Sequence, residues 1–410
     1  MAEGLARRLG TGDAVVVGLS AMIGAGVFAA FAPAAAAAGP WLLAALALAA
    51  VVAYCNATSS ARLAALHPES GGTYVYGRRR LGPLWGYLAG WGFTVGKTAS
   101  CAAMALTFGA YVAPGLARPL AVAAVVAVTV LNLYGVQRSA VAARVMVAFV
   151  LAVLAAVIAT GLLAAPPAPG GQNPTAPGMW GVLQGAGLLF FAFAGYARIA
   201  TLGEEVRDPG RTIPRAIGIA LGITLAVYTL VALAALHVLG HARLAASGAP
   251  LAEVVTAAGF GGLRPVVTAG AAVAALGALL ALVLGVSRTV LAMARERDLP
   301  HVLSAVDPVR RVPRRAELAV GVAVVLLVMV ADLRGAIGFS SFGVLVYYAI
   351  ANAAALTLSR EEGAPPRIVP VAGLVLCLLL AATLPPASVA AGLAVFVVGV
   401  GVRALVHRRT

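Results

Sequence analysis

The sequence has few charged residues, and lysine is nearly absent from it. Charged side chains make up 10% of the 410 residues, and Lys97 is the one lysine among 29 lysines and arginines. Hydrophobic residues make up 62%, a share too large for a water-soluble surface. The composition therefore predicts a protein of the lipid bilayer, in which helices of about 20 apolar residues satisfy their own backbone groups.

Side chains suited to metal binding or catalysis are also scarce. The sequence has three cysteines, all inside apolar segments, and five histidines without metal-ligand spacing; these are Cys55, Cys101, Cys377, His67, His237, His241, His301 and His407. No carboxylate pair or nucleophile–base set falls within an apolar segment. The glycines of "IGAGVF" do not follow a strand and lack a phosphate-loop lysine. We therefore expect no enzyme, no metal and no cofactor.

A net charge of +15 is the one strong electrostatic feature. The arginines lie in short loops rather than along a helix face, so we expect no nucleic-acid partner. They are concentrated in alternate loops, and the positive-inside rule then places both termini in the cytoplasm. The sequence predicts a multi-pass protein of the cytoplasmic membrane, with the lipid bilayer as its surroundings.

Twelve apolar segments predict an all-α polytopic membrane protein with 12 transmembrane helices. Residues 1–12 form a cytoplasmic N-terminus, and short connections rich in Gly and Pro leave no room for a soluble domain. The segments lie near 13–38, 41–64, 82–113, 119–136, 140–164, 179–203, 214–240, 264–296, 316–332, 336–358, 368–384 and 386–406.

Two of these segments are interrupted. The first contains "SAMIGAGVFAAFAP", with Gly24, Gly26 and Pro33, and the sixth contains "LLFFAFAGYARIATLGEE", with Gly195 near its centre. The first and sixth segments begin two successive blocks of five, and interruptions at matching places indicate an inverted-repeat transporter with a site at mid-membrane. The alternative is that these glycines only allow close helix packing.

Four motifs in order resemble the amino acid/polyamine/organocation permeases. They are "GLSAMIGAGVF", "HPESGGTYVYGRRRLGPLWGYLAGW", "FFAFAGYARIATLGEEVRDPGRTIPRAI" and "SRTVLAMARERDLP". The resemblance implies a leucine-transporter type of fold, with a 5+5 inverted repeat and broken helices 1 and 6. It assigns 13–164 to the first five-helix repeat, 179–358 to the second, and 368–406 to two C-terminal helices. Amino acid substrates of such proteins are held at the two unwound centres.

The unwound centres predict a site built mainly from backbone groups. An unwound stretch in lipid needs polar partners, and a zwitterionic amino acid supplies them. The N–H groups near Gly24, Ala25 and Gly26 suit its carboxylate. Carbonyl groups near Ile23, and around Phe193, Ala194 and Gly195, suit its ammonium. These are our candidate substrate-binding residues.

Side chains must supply specificity. By the family's pattern, Phe191, Phe193, Cys101 and Leu282 face the pocket, although each could equally be a packing residue. Many relatives carry an acid two positions after the helix-six glycine, where this chain has Ala197. Without that acid, a cationic substrate would carry an unpaired charge into the membrane, so we expect a neutral amino acid.

Arg198 leaves an anionic substrate open. The preferred interpretation is that this arginine snorkels or pairs with Glu204 or Glu205 at the cytoplasmic mouth.

Lys97 lies near the middle of the third segment. A helix rises about 1.5 Å per residue, which places Lys97 some 22 Å from either membrane interface. Its side chain is too short to reach water from there. Arginine would serve if only a fixed charge were needed, whereas a buried lysine can lose its proton. We predict that Lys97 takes the place of a coupling cation when it is charged and releases its proton during the cycle. Its expected partners are the carbonyls of Ser20 and Ile23, the hydroxyl of Thr98 or Ser100, and Ser287.

This hypothesis is open to an alternative in which Lys97 is a permanently charged structural group. Proton-coupled relatives often place a lysine in helix five, where this chain has Val150.

The sequence thus predicts a secondary transporter that imports neutral amino acids by proton-coupled symport. The alternatives are an exchanger with Lys97 as a fixed charge and, as a different class, a non-transporting amino acid sensor. The oligomeric state is left open.

Overall fold

The structure, a computed structural model, describes residues 9–67, 71–135, 140–165, 178–200, 202, 205–307, 310 and 312–408. Within those ranges the regular structure is helical, and an isolated β-bridge joins Leu9 to Val206. The α-helices are α1 (Thr11–Met22), α2 (Ala25–Ala29), α3 (Phe31–Ala38), α4 (Leu42–Leu66), α5 (Thr73–Leu81), α6 (Pro83–Val112), α7 (Ala117–Leu133), α8 (Ala140–Leu163), α9 (Met179–Phe193), α10 (Ala197–Ala200), α11 (Pro209–Ala246), α12 (Pro250–Ala257), α13 (Arg264–Arg295), α14 (Arg314–Val330), α15 (Leu333–Ala355), α16 (Ile368–Thr383) and α17 (Pro386–Arg408).

Each predicted segment coincides with one helix or one broken set of helices. Of the described stretches, nine are long and apolar enough to cross a membrane. The predicted segments outside that set correspond to α6, α14 and α16. Helix α14 has 17 residues and α16 has 16, slightly below the usual crossing length. Helix α6 has 30 residues but is rich in Gly, Ser and Thr. The structure thus confirms an all-α polytopic membrane protein.

Both predicted interruptions are breaks in the structure. The first segment divides into α1, α2 and α3, and the sixth divides into α9, a 3₁₀ turn at Ala194–Tyr196, and α10. Pro33 explains the minor division between α2 and α3, because proline has no N–H to bond the carbonyl of Ala29. Gly240 ends the regular part of α11 at φ 65°, a left-handed conformation that favours glycine.

Helix α6 lies at the centre of the bundle and packs against α5, α7, α13, α14 and α15. Small residues allow its close approach to α15. A Cβ on Gly96 would lie 3.0 Å from the Ser340 carbonyl oxygen, and one on Gly343 would lie 2.7 Å from that of Gly92. In membranes such small-residue contacts let backbones approach and replace the hydrophobic force that acts in water.

A buried carboxylate ties α5 to two distant parts of the chain. The Asp298 side chain is 1% exposed and accepts hydrogen bonds from Tyr74 at 2.8 Å, Arg78 at 2.9 Å and Arg403 at 3.1 Å. At the surface, Arg80 lies 2.5 Å from Glu362, and this hydrogen bond holds the pKa of the Glu362 carboxyl below its usual value. The Asp298 contacts join α5 and α17 to the segment that follows α13, and the Glu362 contact joins α5 to the connection between α15 and α16.

Candidate functional site

The first break occupies the two residues between α1 and α2. Ile23 has φ −84° and ψ 48°, and Gly24 has φ −101° and ψ −143°, so neither continues the helix. Helix α2 begins at Ala25 without a side chain capping its N-terminus. Its first N–H groups therefore have no intrahelical partner. Ile23, Gly24, Ala25 and Gly26, all predicted to bind substrate, are buried together here.

The second break is a 3₁₀ turn. Ala194 keeps φ −64° but has ψ 2°, and Ala194–Tyr196 joins α9 to α10. The tighter turn leaves the carbonyl groups around it without the regular helical bonding pattern. Phe193, Ala194 and Gly195 of the prediction lie at this turn.

The two breaks contact each other through glycines. A Cβ on Gly195 would lie 2.5 Å from the carbonyl carbon and oxygen of Ala21, and one on Gly26 would lie 2.7 Å from the Cα of Ala192. Each broken helix therefore carries a glycine where the backbone of the other passes. The structure brings the sequence-predicted residues of both helices into one cluster.

Tyr228 of α11 joins both breaks. Its hydroxyl lies 2.5 Å from the carbonyl oxygen of Met22, at the end of α1, and 3.1 Å from that of Ala192, near the end of α9. The single hydroxyl proton can be donated to either carbonyl. Sequence reasoning missed Tyr228, because a tyrosine in an apolar segment has no local pattern that identifies a carbonyl group as its partner.

Lys97 lies midway along α6 and points to the second break. Its Nζ donates a hydrogen bond to the carbonyl oxygen of Ala194 at 3.4 Å, and the side chain is buried. The partner is thus one of the carbonyl groups that we predicted to receive the substrate's ammonium. Cys101, one turn further along α6, is fully buried and close enough to interact electrostatically with Lys97.

The other predicted coupling residues make their own contacts. Ser20 donates its hydroxyl to the carbonyl of Val17 at 2.8 Å, and Ser287 lies 3.0 Å from the carbonyl of Leu284 and 2.7 Å from Oε1 of Glu317. The alternative hydroxyl partners also bond elsewhere. Thr98 donates to the carbonyl of Thr94 at 2.7 Å, and Ser100 lies 2.6 Å from the Ser340 hydroxyl.

The predicted pocket side chains differ in how fully they are enclosed. Phe193 is 0% exposed, and its ring packs 5.0 Å from the ring of Tyr228. Cys101 is equally enclosed, whereas Phe191 is 8% exposed and Leu282 is partly buried at the edge of the core. Phe193 therefore contributes packing at the second break, and Phe191 and Leu282 keep some free surface.

The charged groups after the second break are Arg198, whose side chain is exposed, and Glu205, which is half-buried. Whether Arg198 snorkels or pairs with an acid stays a prediction. Glu204 lies outside the described residues. Ala197 is buried and supplies no charge.

Sequence reasoning also missed one buried acid. Glu317 of α14 is 0% exposed, although its place in the first turn of an apolar helix, after Arg314 and Arg315, is typical of a surface acid that complements the helix dipole. Only the tertiary packing reveals that this first turn is enclosed.

Comparisons with known proteins show which chains this one is similar to. The amino acid permease family model matches residues 9–402. An uncharacterized transporter of Mycobacterium tuberculosis is 66% identical over 99% of this chain and 93% of its own length. A branched-chain amino acid permease of Bacillus subtilis is 26% identical, over 92% of this chain and 88% of its own. The cationic amino acid transporter 4 of Homo sapiens is 27% identical over 89% of this chain and 62% of its own length.

Proposed function

The chain belongs to the amino acid permease family, whose members are transporters and not enzymes, and from that premise we propose a proton-coupled carrier of neutral amino acids. It would work by alternating access in the cytoplasmic membrane, with both termini in the cytoplasm. Its twelve segments would each cross the bilayer, in two inverted repeats of five followed by two C-terminal helices. The matching breaks in the first and sixth segments support that repeat.

The substrate's backbone would bind between the two breaks. The uncapped N–H groups at Gly24, Ala25 and Gly26 suit a carboxylate. The carbonyl groups at Ile23 and Phe193 suit an ammonium, and so does the second lone pair of the Ala194 carbonyl, whose first lone pair accepts from Lys97. Since both ends of the substrate meet main chain, the pocket side chains must select its side chain. Phe191 and Leu282, which keep free surface, are the residues best suited to this selection.

A neutral substrate is favoured because Ala197 provides no counter-charge for a cation. The names of the relatives include both a branched-chain permease and a cationic transporter, so they do not decide this point. Competition assays decide it, by comparing how strongly leucine, isoleucine and valine inhibit uptake with how strongly arginine and lysine do so. Stronger inhibition of uptake by the cationic pair would overturn the assignment.

The hydrogen bond from Lys97 to the Ala194 carbonyl carries the coupling proposal. A charged donor makes a stronger hydrogen bond than a neutral one. Loss of the lysine proton would therefore weaken the contact between α6 and the second break. Protonation of this one residue can thus bias how firmly the broken helix is held, which is what a coupling site requires.

The test is uptake of a labelled amino acid into proteoliposomes, with and without an inward proton gradient. We expect the gradient to drive accumulation by the unmodified protein and not by Lys97→Arg, because an arginine stays charged. Proton-driven uptake by Lys97→Arg would refute the proton-carrier role. Sodium-dependent uptake by the unmodified protein would refute any role of Lys97 in place of a cation.

An exchanger is the second candidate, because the Lys97–Ala194 bond also suits a permanently charged lysine. Counterflow separates the two functions: an exchanger accelerates labelled uptake when unlabelled substrate is inside and ignores the pH gradient. In that case Lys97→Arg would retain exchange at a rate close to that of the unmodified protein.

A further inference from the structure

Glu317 forms a polar cluster where α14 meets α7 and α13. The Ser287 hydroxyl of α13 lies 2.7 Å from Oε1 of Glu317, and the Asn132 side chain of α7 is a further hydrogen-bonding neighbour of the carboxyl. All three residues are at most 1% exposed. Close packing fixes this geometry, because a Cβ on Gly321, one turn from Glu317, would lie 2.7 Å from the Thr129 hydroxyl of α7.

The cluster has more acceptor oxygens than donor protons. Oε2 of Glu317 and Oδ1 of Asn132 are both buried without a hydrogen-bond partner. One N–H of the Asn132 amide donates to the Leu280 carbonyl at 3.4 Å. Ser287 has a single proton for two acceptors, Glu317 and the Leu284 carbonyl. A buried polar atom left unpaired costs about 1–3 kcal/mol, so two such atoms in neighbouring side chains need an explanation.

We propose that Glu317 binds a proton, so that the acid's Oε2–H group donates to Oδ1 of Asn132. One proton taken from water forms one O–H bond, neutralises the buried carboxylate and gives both unpaired oxygens a partner. The result is a proton-binding site at the junction of α7, α13 and α14, and it includes Ser287, which the sequence had suggested as a partner of Lys97.

An ionised Glu317 would need a donor for Oε2, and the Asn132 amide is the neighbouring side chain that could supply one. Turning that amide by half a revolution would exchange the places of its oxygen and its nitrogen without any added proton. That turn would, however, set Oδ1 against the Leu280 carbonyl oxygen, at the place where Nδ2 now donates. Two acceptors would then face each other, and the enclosed carboxylate would keep its charge, which is costly away from water.

A nearby cation favours the ionised form of a carboxyl group, and exposure of that cation to solvent weakens its effect. Arg288 of α13 acts on the carboxyl from an exposed position, and Cys101 of α6 is the titratable group that faces it from the other side. Helix α7 presents the neutral Asn132. In the 301–304 turn, which also packs against α14, the titratable side chain is His301, which is exposed and lies 3.4 Å from the Ser304 hydroxyl.

Infrared spectroscopy of the purified protein in liposomes tests the proposal without any transport assay. A protonated carboxylic acid has a C=O band apart from those of carboxylates, and exchange into D₂O shifts it. At neutral pH we expect this band in the unmodified protein and its loss in Glu317→Gln. Glutamine keeps the volume, accepts from Ser287 and donates to Asn132, so the variant should fold. Glu361→Gln, at an exposed acid, is the matched control and should retain the band.

Asn132→Leu provides a second measurement on a protein that still carries the acid. Without its acceptor, the acid's C=O band should move to higher frequency. The proposal is overturned if the unmodified protein lacks the band, if the band survives Glu317→Gln, or if sodium ions alter a carboxylate band that Glu317→Gln removes. The last result would identify a metal cation as the occupant. None of these outcomes depends on whether the protein transports amino acids.

Discussion

The two breaks differ in what holds them. At the first, Ile23 and Gly24 leave the helical conformation altogether, and the freed Met22 carbonyl meets the neutral hydroxyl of Tyr228. At the second, the chain continues as a 3₁₀ turn, and the Ala194 carbonyl meets the amine of Lys97. The first break is thus fixed by backbone conformation, and the second by a side chain whose charge can change.

This difference indicates where a coupling ion can act. A neutral hydroxyl makes the same hydrogen bond over the whole physiological pH range, whereas an amine can gain or lose a charge-assisted bond. The first break is suited to a constant binding geometry for substrate. The second can respond to protonation. Variants at each break should therefore change different properties of the same transporter.

The largest effect is expected where the two breaks touch. In Gly195→Ala the new methyl group would lie 2.5 Å from the backbone of Ala21, so a main chain must shift, and overpacking of this kind costs about 1–3 kcal/mol. We expect a lower Tm in detergent and loss of most uptake. Gly222→Ala is the matched control, since a Cβ at Gly222 in α11 would meet nothing within 4 Å. Equal behaviour of the two variants would show that the breaks are not in close contact.

Tyr228→Phe tests the link that both breaks share. It removes the hydroxyl near the Met22 and Ala192 carbonyls and keeps the ring that packs on Phe193. Leaving buried carbonyl groups without a donor should cost about 1–3 kcal/mol. Uptake should fall while its response to the proton gradient remains. Tyr54→Phe, at a side chain that is 59% exposed, should leave Tm and uptake unchanged; a similar loss there would contradict our account.

The sequence predicted the breaks because glycine and proline act locally. Gly24, Gly26, Gly195 and Pro33 each restrict or free the backbone at their own position, and the spacing of the two motifs located them in matching helices. The bounds of α4 were predicted closely for the same reason: it was expected near 41–64 and is Leu42–Leu66. Those of α11, expected near 214–240, were too narrow, because the helix is Pro209–Ala246 and continues through Pro214.

Side-chain partners were harder to predict because they depend on which helices pack together. Lys97 was recognised as important from its depth and from the preference for arginine elsewhere, but the expected carbonyl partners at Ser20 and Ile23 belong to the first break. The bond in the structure goes to Ala194 at the second. Glu317 and Tyr228 were missed since each looks ordinary within its own helix. Their roles arise from carbonyl and amide groups far away in the chain.

Lys97→Met tests directly whether the two breaks have different roles in transport. The variant loses the 3.4 Å bond to Ala194, which is at the long end of hydrogen bonding, and it also removes a buried amine. These effects oppose each other, so stability should change by no more than about 1 kcal/mol. We expect uptake that no longer responds to a pH gradient, although Tyr228→Phe retains that response. If Lys97→Met and Tyr228→Phe both keep the response to the pH gradient, the proton binds at another residue, and Glu317 becomes the residue to test next.

The smallest effect is expected within the first break itself. In Gly24→Ala the added methyl group would lie 3.1 Å from the Ala278 methyl and 3.8 Å from the Ser20 and Ala274 carbonyl oxygens. The nearest atom belongs to a side chain, so a shift of a few tenths of an ångström in α13 relieves the contact, at a cost of roughly 0.5–1 kcal/mol. Apparent substrate affinity should fall slightly, because the methyl group is added next to the N–H groups of Ala25 and Gly26 that suit the substrate's carboxylate. Proton dependence should not change. A loss as severe as that of Gly195→Ala would mean that the first break is as tightly enclosed as the second.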